Sequence, residues 1–294
     1  YYQELVLARL YRQDFDLPYL SRQDSRMIPN TFEAYVLRSQ IPNFDFIAGH
    51  VTKMKTRGSR DFVSMAEAAG AESSKERGLT VMGAIYKPRK GVSIGVIDHY
   101  SWDVMNILYS EAEYTHELTD EVGLKLSGPF THQRSIGEEL LGGPSFDTYV
   151  WGGRAALSRR GAILTAAFSS TSDDDEIRSP YGSYPGYVSL MRSDFNRAGE
   201  LAWLVGASYH FKEIGIPGLS AFANFARGTS ARDGTSGESL PNRQDIEATI
   251  DYHLPGGRLE GLWLRLRYAY LDEDGDSEPA HDLRLILNYQ IPVL

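Results

Sequence analysis

The sequence predicts an all-β chain folded as an antiparallel transmembrane barrel. Three observations predict it. Apolar residues recur at every second position, short and long connectors alternate, and no apolar run approaches the roughly 20 residues of a spanning helix. About fourteen strands are legible, and a single barrel domain over residues 1–294 is expected.

Period two is plainest in the second half. Leu262, Leu264, Leu266, Tyr268 and Tyr270 share one face of a strand, with Trp263, Arg265, Arg267 and Ala269 on the other. Leu283, Leu285, Leu287, Tyr289 and Ile291 oppose Asp282, Arg284, Ile286, Asn288 and Gln290. Leu201, Trp203, Val205, Ala207, Tyr209 and Phe211 oppose Ala202, Leu204, Gly206, Ser208, His210 and Lys212. Ile246, Ala248, Ile250, Tyr252 and Leu254 oppose Asp245, Glu247, Thr249, Asp251 and His253. A helical period fits none of these. Ten less regular strands are expected near 3–12, 32–41, 43–53, 79–87, 92–99, 105–116, 121–128, 147–157, 161–169 and 219–227. A short helix is compatible with residues 64–75, inside a loop.

Short connectors fall at residues 40–43, 87–91, 117–121, 159–161, 213–218 and 254–257. Polar ones, most of them long, lie at 13–31, 54–78, 100–104, 129–146, 170–200, 228–243 and 271–281. Turns at one end and loops at the other are the habit of an outer-membrane barrel, with turns periplasmic and loops outside. A soluble sandwich has no reason to lengthen every second connector. Its outward apolar faces would also need a covering layer, whereas these faces end in the aromatics that anchor barrels at lipid interfaces.

Composition agrees. The chain holds 18 Tyr, 12 Phe, 4 Trp and 28 Gly, the residues of pleated surfaces and tight turns. A net charge of −9 argues against a nucleic-acid partner, which needs a basic face. The absence of cysteine removes thiolate metal sites and thiol nucleophiles. The seven histidines show no metal-ligand spacing, and neither a G-x-S-x-G elbow nor a P-loop occurs. The acidic runs at 173–176 and 272–276 are read as solvated loop tips, the second lacking the Glu that closes an EF-hand loop. No cofactor, no metal and no catalytic residue is expected. Tyr1-Tyr2-Gln3-Glu4 has neither a basic region nor an apolar core, so no signal peptide opens the chain, and its natural N-terminus is expected to lie upstream or to have been removed.

Several stretches resemble the OprD family of outer-membrane porins. Leu17-Pro18-Tyr19-Leu20 followed by Asp24-Ser25-Arg26-Met27-Ile28-Pro29-Asn30-Thr31-Phe32-Glu33-Ala34 is similar to that family's LP-x-L and D-x-R-x-x-P-x-T-F-E-G. Ala48-Gly49-His50 with Lys53 and Lys55 resembles its AGR-x-x-K-x-K. Asp194-Phe195-Asn196-Arg197-Ala198-Gly199-Glu200 resembles DFNRA-x-E, and Ile216-Pro217-Gly218-Leu219 and 282–289 also match, in order along nearly the whole chain. The resemblance implies about eighteen strands in a full-length protein, so that some four strands are expected ahead of Tyr1; a fourteen-strand sheet would otherwise have to pair its first and last strands. The chain also departs from the family in ending on Leu294 rather than an aromatic, with Tyr289 the aromatic nearby that insertion by the barrel-assembly machinery would use.

The resemblance further implies a passive, substrate-selective channel in the outer membrane, not an enzyme, with a ladder of basic residues guiding a substrate carboxylate. Arg265, Arg267 and Arg284 match that ladder; Lys212 and Arg154 are weaker candidates on inward faces. Arg suits the task because its planar fork holds a carboxylate through two hydrogen bonds and stays charged at any working pH. Asp245, Glu247, Asp251 and Asp282 are candidates for an opposing acidic wall, which would favour zwitterions, or equally for salt-bridge partners of the arginines. The expected solutes are small anions or zwitterions, organic acids and amino acids. Loops 54–78 and 129–146 are candidates to fold inward and narrow the path, or to cap the outside and meet lipopolysaccharide through Lys53, Lys55, Arg57 and Arg60. The tyrosines of 170–200 either line the path or order a surface loop. The chain is expected to be a monomer or loose trimer. The alternative function is a barrel with a plugged lumen, serving as a scaffold or an enzyme.

Overall fold

The computed structural model describes residues 5–23, 28–257, 259–275 and 278–289. Outside them lie residues 3–4 of the first expected strand, 24–27 of the family-like motif, Asp276, Gln290 and Ile291 of the last strand, and the terminal Leu294.

Among the described residues, fourteen long strands follow one another in an antiparallel sheet: β1 (Leu5–Gln13), β4 (Thr31–Ile41), β5 (Phe44–Lys55), β7 (Leu79–Arg89), β8 (Val92–Ser101), β9 (Met105–Thr119), β10 (Val122–Ser135), β11 (Asp147–Arg159), β12 (Ala162–Thr171), β13 (Leu201–His210), β14 (Leu219–Thr229), β15 (Arg243–His253), β16 (Leu262–Glu273) and β17 (Ala280–Tyr289). Between them come the small hairpin β2 (Asp16–Leu17) and β3 (Leu20–Ser21), and β6 (Val63–Ser64), which pairs with β5. Each long strand pairs with its sequence neighbour, and no pairing joins β1 to β17 among the described residues. The long strands run 9 to 15 residues, enough to cross a hydrocarbon core at a tilt.

All fourteen expected strands are present, and the connectors alternate as expected. The tight turns need backbone that few residues adopt. Gly91 and Gly161 both have φ of 81°, and a Cβ on Gly91 would sit 2.4 Å from the Thr115 carbonyl oxygen. Strand ends shift by a few residues in several places, and two of the differences have a clear cause. β10 continues through Pro129 to Ser135, so the following loop is 136–146 rather than 129–146. Proline reads as a strand end because it cannot donate to a ladder. Here residues 128 and 129 pair with β9 alone while the β10–β11 ladder skips them, so the missing N–H is not needed there. At the other end, β13 stops at His210 and residues 211–214 form a 3₁₀ turn.

The short helix α1 (Met65–Ala69) starts at Ser64, whose hydroxyl accepts from the Glu67 N–H at 3.1 Å, and ends at Gly70 in the left-handed region.

The two sheet faces differ in kind. One carries exposed apolar side chains in rows: Leu266 is 44% exposed, Val205 49% and Leu285 78%. Contiguous apolar surface of that extent belongs against lipid. The other face is covered from inside. Phe32, Val51, Leu79, Ile97, Ile107 and Val150 on β4–β11 pack with Tyr19 and Leu20 of the β2–β3 hairpin, Met65 of α1, and Ile177, Tyr181 and Tyr184 of the long β12–β13 connector. A second cluster joins Val188, Leu190 and Phe195 of that connector to Ala167, Ala202, Leu204 and Ala226 on β12–β14. The connector at 172–200 is therefore not a surface loop; it lies along the inner wall.

Candidate functional site

The inner faces of β15, β16 and β17 carry most of the charge singled out in the sequence. Asp251 stands opposite Arg265, Thr249 opposite Arg267, and Glu247 opposite Ala269; on the next pair Arg267 faces Arg284 and Ala269 faces Asp282. Directly opposed arginines repel, and a neighbouring acid relieves each. Arg284 binds Asp282 two residues away on its own strand, Nε to Oδ1 at 3.0 Å. Arg267 pairs diagonally with Glu247 at 3.5 Å. Ala269, fully buried, stands in register between Glu247 and Asp282.

Arg265 is the most firmly held. Its Nε and Nη2 donate to the two oxygens of Asp251 at 2.6 and 2.9 Å, Trp263 Nε1 donates to the same carboxylate at 2.9 Å, and the guanidinium lies 4.4 Å from the Trp263 ring centre. The acids thus interleave with the arginines on one wall and do not form an opposing wall: register brings β15 beside β16, so acid and base on neighbouring strands meet directly. Asp245 differs from the others. It is fully buried behind the inserted connector and makes no ion pair among the described residues.

The connector supplies what the sequence reading missed. The Met191 N–H donates to Glu247 at 3.0 Å, Asn224 donates to the other oxygen of Glu247 at 3.0 Å, and Arg192 lies 3.9 Å from Asp282. The segment at 172–200 therefore reaches the charged wall, and Arg192 adds a fourth guanidinium to it. Loop 54–78 and loop 136–146 pack into the β4–β11 cluster through Met65, Ala66 and Phe146. The available signal was the segment's length, 29 residues between strands, together with apolar Ile177, Tyr181, Tyr184, Val188, Leu190 and Phe195 that a solvated loop has no use for.

Paired polar contacts hold the segment. Gln133, buried on the inner face of β10, donates to the Arg178 carbonyl at 2.7 Å and accepts the Arg178 N–H at 2.8 Å. Tyr181 and Ser101 hydroxyls are 2.6 Å apart, and Tyr19 donates to Thr131 at 2.9 Å. At the segment's end Glu200, fully buried, accepts from the Arg197 N–H and Nη2 at 3.1 and 2.8 Å and from Arg243 Nε and Nη2 at 3.0 and 2.8 Å. Gly228 lies beneath it; a Cβ there would be 2.2 Å from Glu200 Oε1.

The two remaining basic candidates lie elsewhere. Arg154 is on the inner face of β11, but its guanidinium is stacked 4.0 Å from the Tyr187 ring centre, bracing the inserted segment. Lys212 is exposed in the 3₁₀ turn (Phe211–Ile214), not on an inward strand face, because β13 ends two residues before it.

Comparison with known proteins gives a consistent answer. The family described as outer membrane porin, OprD family, matches residues 9–293. Porin D of Pseudomonas aeruginosa is 23% identical over 310 residues, covering 94% of this chain and 67% of that protein. Among solved structures, Pseudomonas aeruginosa OccK9 (OpdG) is 26% identical with a TM-score of 0.87, over 97% of this chain and 72% of that one. Pseudomonas aeruginosa OccK8 (OprE) is 21% identical with a TM-score of 0.86, over 98% and 78%.

Proposed function

The chain belongs to the OprD family of outer membrane porins, and from that premise we propose a substrate-selective channel that favours small carboxylate-bearing solutes. As a member of that family it is an outer-membrane β-barrel that passes small solutes, and its relatives are channels rather than enzymes. We take residues 1–294 as one barrel unit. Lys53, Lys55, Arg57 and Arg60, near the loop end, are the groups we assign to lipopolysaccharide.

One observation carries the carboxylate preference: three arginines on two adjacent strands, with Arg192 beside them, are pre-oriented by wall carboxylates. The pairs do not consume the guanidiniums. Arg265 spends Nε and Nη2 on Asp251 and keeps the donors of Nη1, and the side chains of Arg265, Arg267 and Arg284 remain 28%, 20% and 37% exposed. A passing carboxylate meets donors whose geometry is already set, so little side-chain entropy is lost on contact. The interleaved acids supply a second preference, for solutes that carry an ammonium group as well, such as amino acids. The binding that results is shallow and repeated along the wall, which lets a solute enter and leave.

The test is single-channel conductance of the full-length protein in a planar bilayer, with reversal potentials and a panel of carboxylates. Discrete steps with carboxylate-dependent block are expected. Steps that no carboxylate modulates overturn the preference, and a folded barrel without conductance points instead to a plugged scaffold.

A further inference from the structure

Away from the arginine wall, the inner face of β5–β9 holds a recess of about 190 Å³ that the carboxylate path does not use. Strand register explains it. Ile47, Gly83, Ile97 and Tyr109 form one row across four strands, and Asp45, Ile85, Gly95 and Glu111 form the next. In the second row position 95 has no side chain, so a hollow is left between Ile85 and Glu111. Leu17 and Pro18 of the β2–β3 hairpin line it from the inserted side. Ile85 is 41% exposed although it faces inward, so the hollow opens to the interior space. An apolar cavity of about 150 Å³ is enough to take a benzene ring, so one ring or a branched chain fits here.

Two carboxylates line the recess. Glu113 is neutralised by an ion pair with Lys125. Glu111 makes no ion pair among the described residues, and Tyr109 lies two residues away on the same face of β9. On the next two strands, Lys125 of β10 is held by Glu113 and Arg154 of β11 is stacked on Tyr187. An inward apolar hollow edged by such a carboxylate complements a small solute that joins a ring or branched alkyl group to an ammonium.

We propose that this recess is a second solute site, selective for amphipathic ammonium compounds, with the apolar group against Ile85, Ile97 and Leu17 in the space over Gly95 and the ammonium on Glu111. It is separate from the β15–β17 wall, so it stands or falls independently of the carboxylate reading.

Calorimetry on the folded, detergent-solubilised full-length protein tests it, with phenethylamine as the probe. Ethylamine lacks the ring and 3-phenylpropionate lacks the ammonium; both are expected to bind more weakly than phenethylamine by about tenfold or more. Glu111→Gln should lower phenethylamine affinity by about tenfold. Gly95→Ile places a branched side chain in the hollow, where its Cβ meets Ile85 Cγ1 at an ordinary 3.5 Å, and it should abolish the advantage of the ring. Equal binding of ethylamine and phenethylamine overturns the apolar site. Tighter binding of 3-phenylpropionate, or unchanged phenethylamine affinity in either variant, overturns the assignment of Glu111 and Gly95.

Discussion

Glu247→Gln is the sharpest perturbation of the charged wall. Glu247 is a hub: it accepts from Met191 N–H and Asn224 and pairs with Arg267. Glutamine is nearly the same shape and its carbonyl oxygen still accepts a hydrogen bond, so the inserted segment keeps a partner while one negative charge disappears. The inner wall then holds Arg192, Arg265, Arg267 and Arg284 against Asp245, Asp251 and Asp282, one positive charge in excess. A unit charge acts on an ion passing at about 5 Å with about 0.8 kcal/mol at water's dielectric constant, and more where the path is narrow. That energy is worth about fourfold in local concentration, gained by anions and lost by cations, so the anion-to-cation permeability ratio should rise on the order of tenfold. Reversal potentials under a salt gradient read this directly, and raising the salt should shrink the effect as screening increases. An unchanged reversal potential in a folded, conducting variant would refute the view that these residues line the path.

Three further outcomes are expected. Replacing both Arg265 and Arg267 by Ala leaves Asp251 and Glu247 without their bases, so anion conductance should fall and cation selectivity rise while heat-modifiable migration stays that of a folded barrel, because lumen substitutions tune selectivity more than stability. Glu200→Ala strands two largely buried arginines, with side chains only 14% and 11% exposed. Breaking such a pair costs roughly 3–5 kcal/mol, so the 172–200 segment should loosen and trypsin should cut at Arg178 and Arg192 in intact barrels; continued resistance would show that the apolar contacts alone hold it. Finally, the Arg77 guanidinium, 2.5 Å from Asp103, holds that carboxyl below its ordinary range. A depressed acid stabilises above its unfolded pKa and loses that contribution as pH falls through the folded value. Amide protection in loop 136–146, anchored by the Leu140 N–H on the Asp103 carbonyl oxygen, should therefore decline below about pH 4, and Asp103→Asn should remove the pH dependence.

The sequence by itself determined the strands, their order and their inward and outward faces. Each follows from short-range physics: successive side chains point to opposite sides of a strand, so Leu283, Leu285 and Leu287 declare one face as lipid-facing and Asp282 and Arg284 the other as inner. The tight turns were legible for the same reason, since Lys90-Gly91 and Arg160-Gly161 supply locally the backbone those turns require. The charged residues of β15–β17 were legible as inward, but not their partners; Lys212 was not, because β13 ends before it. That Asp251 belongs to Arg265, and Glu247 to Arg267, depends on register between strands, which alternation within one strand does not specify. The fate of residues 172–200 was least legible. Their apolar residues have no period, and their place along the inner wall depends on surfaces contributed by β8, β10 and β12–β15, which exist as one concave face only after the sheet has formed.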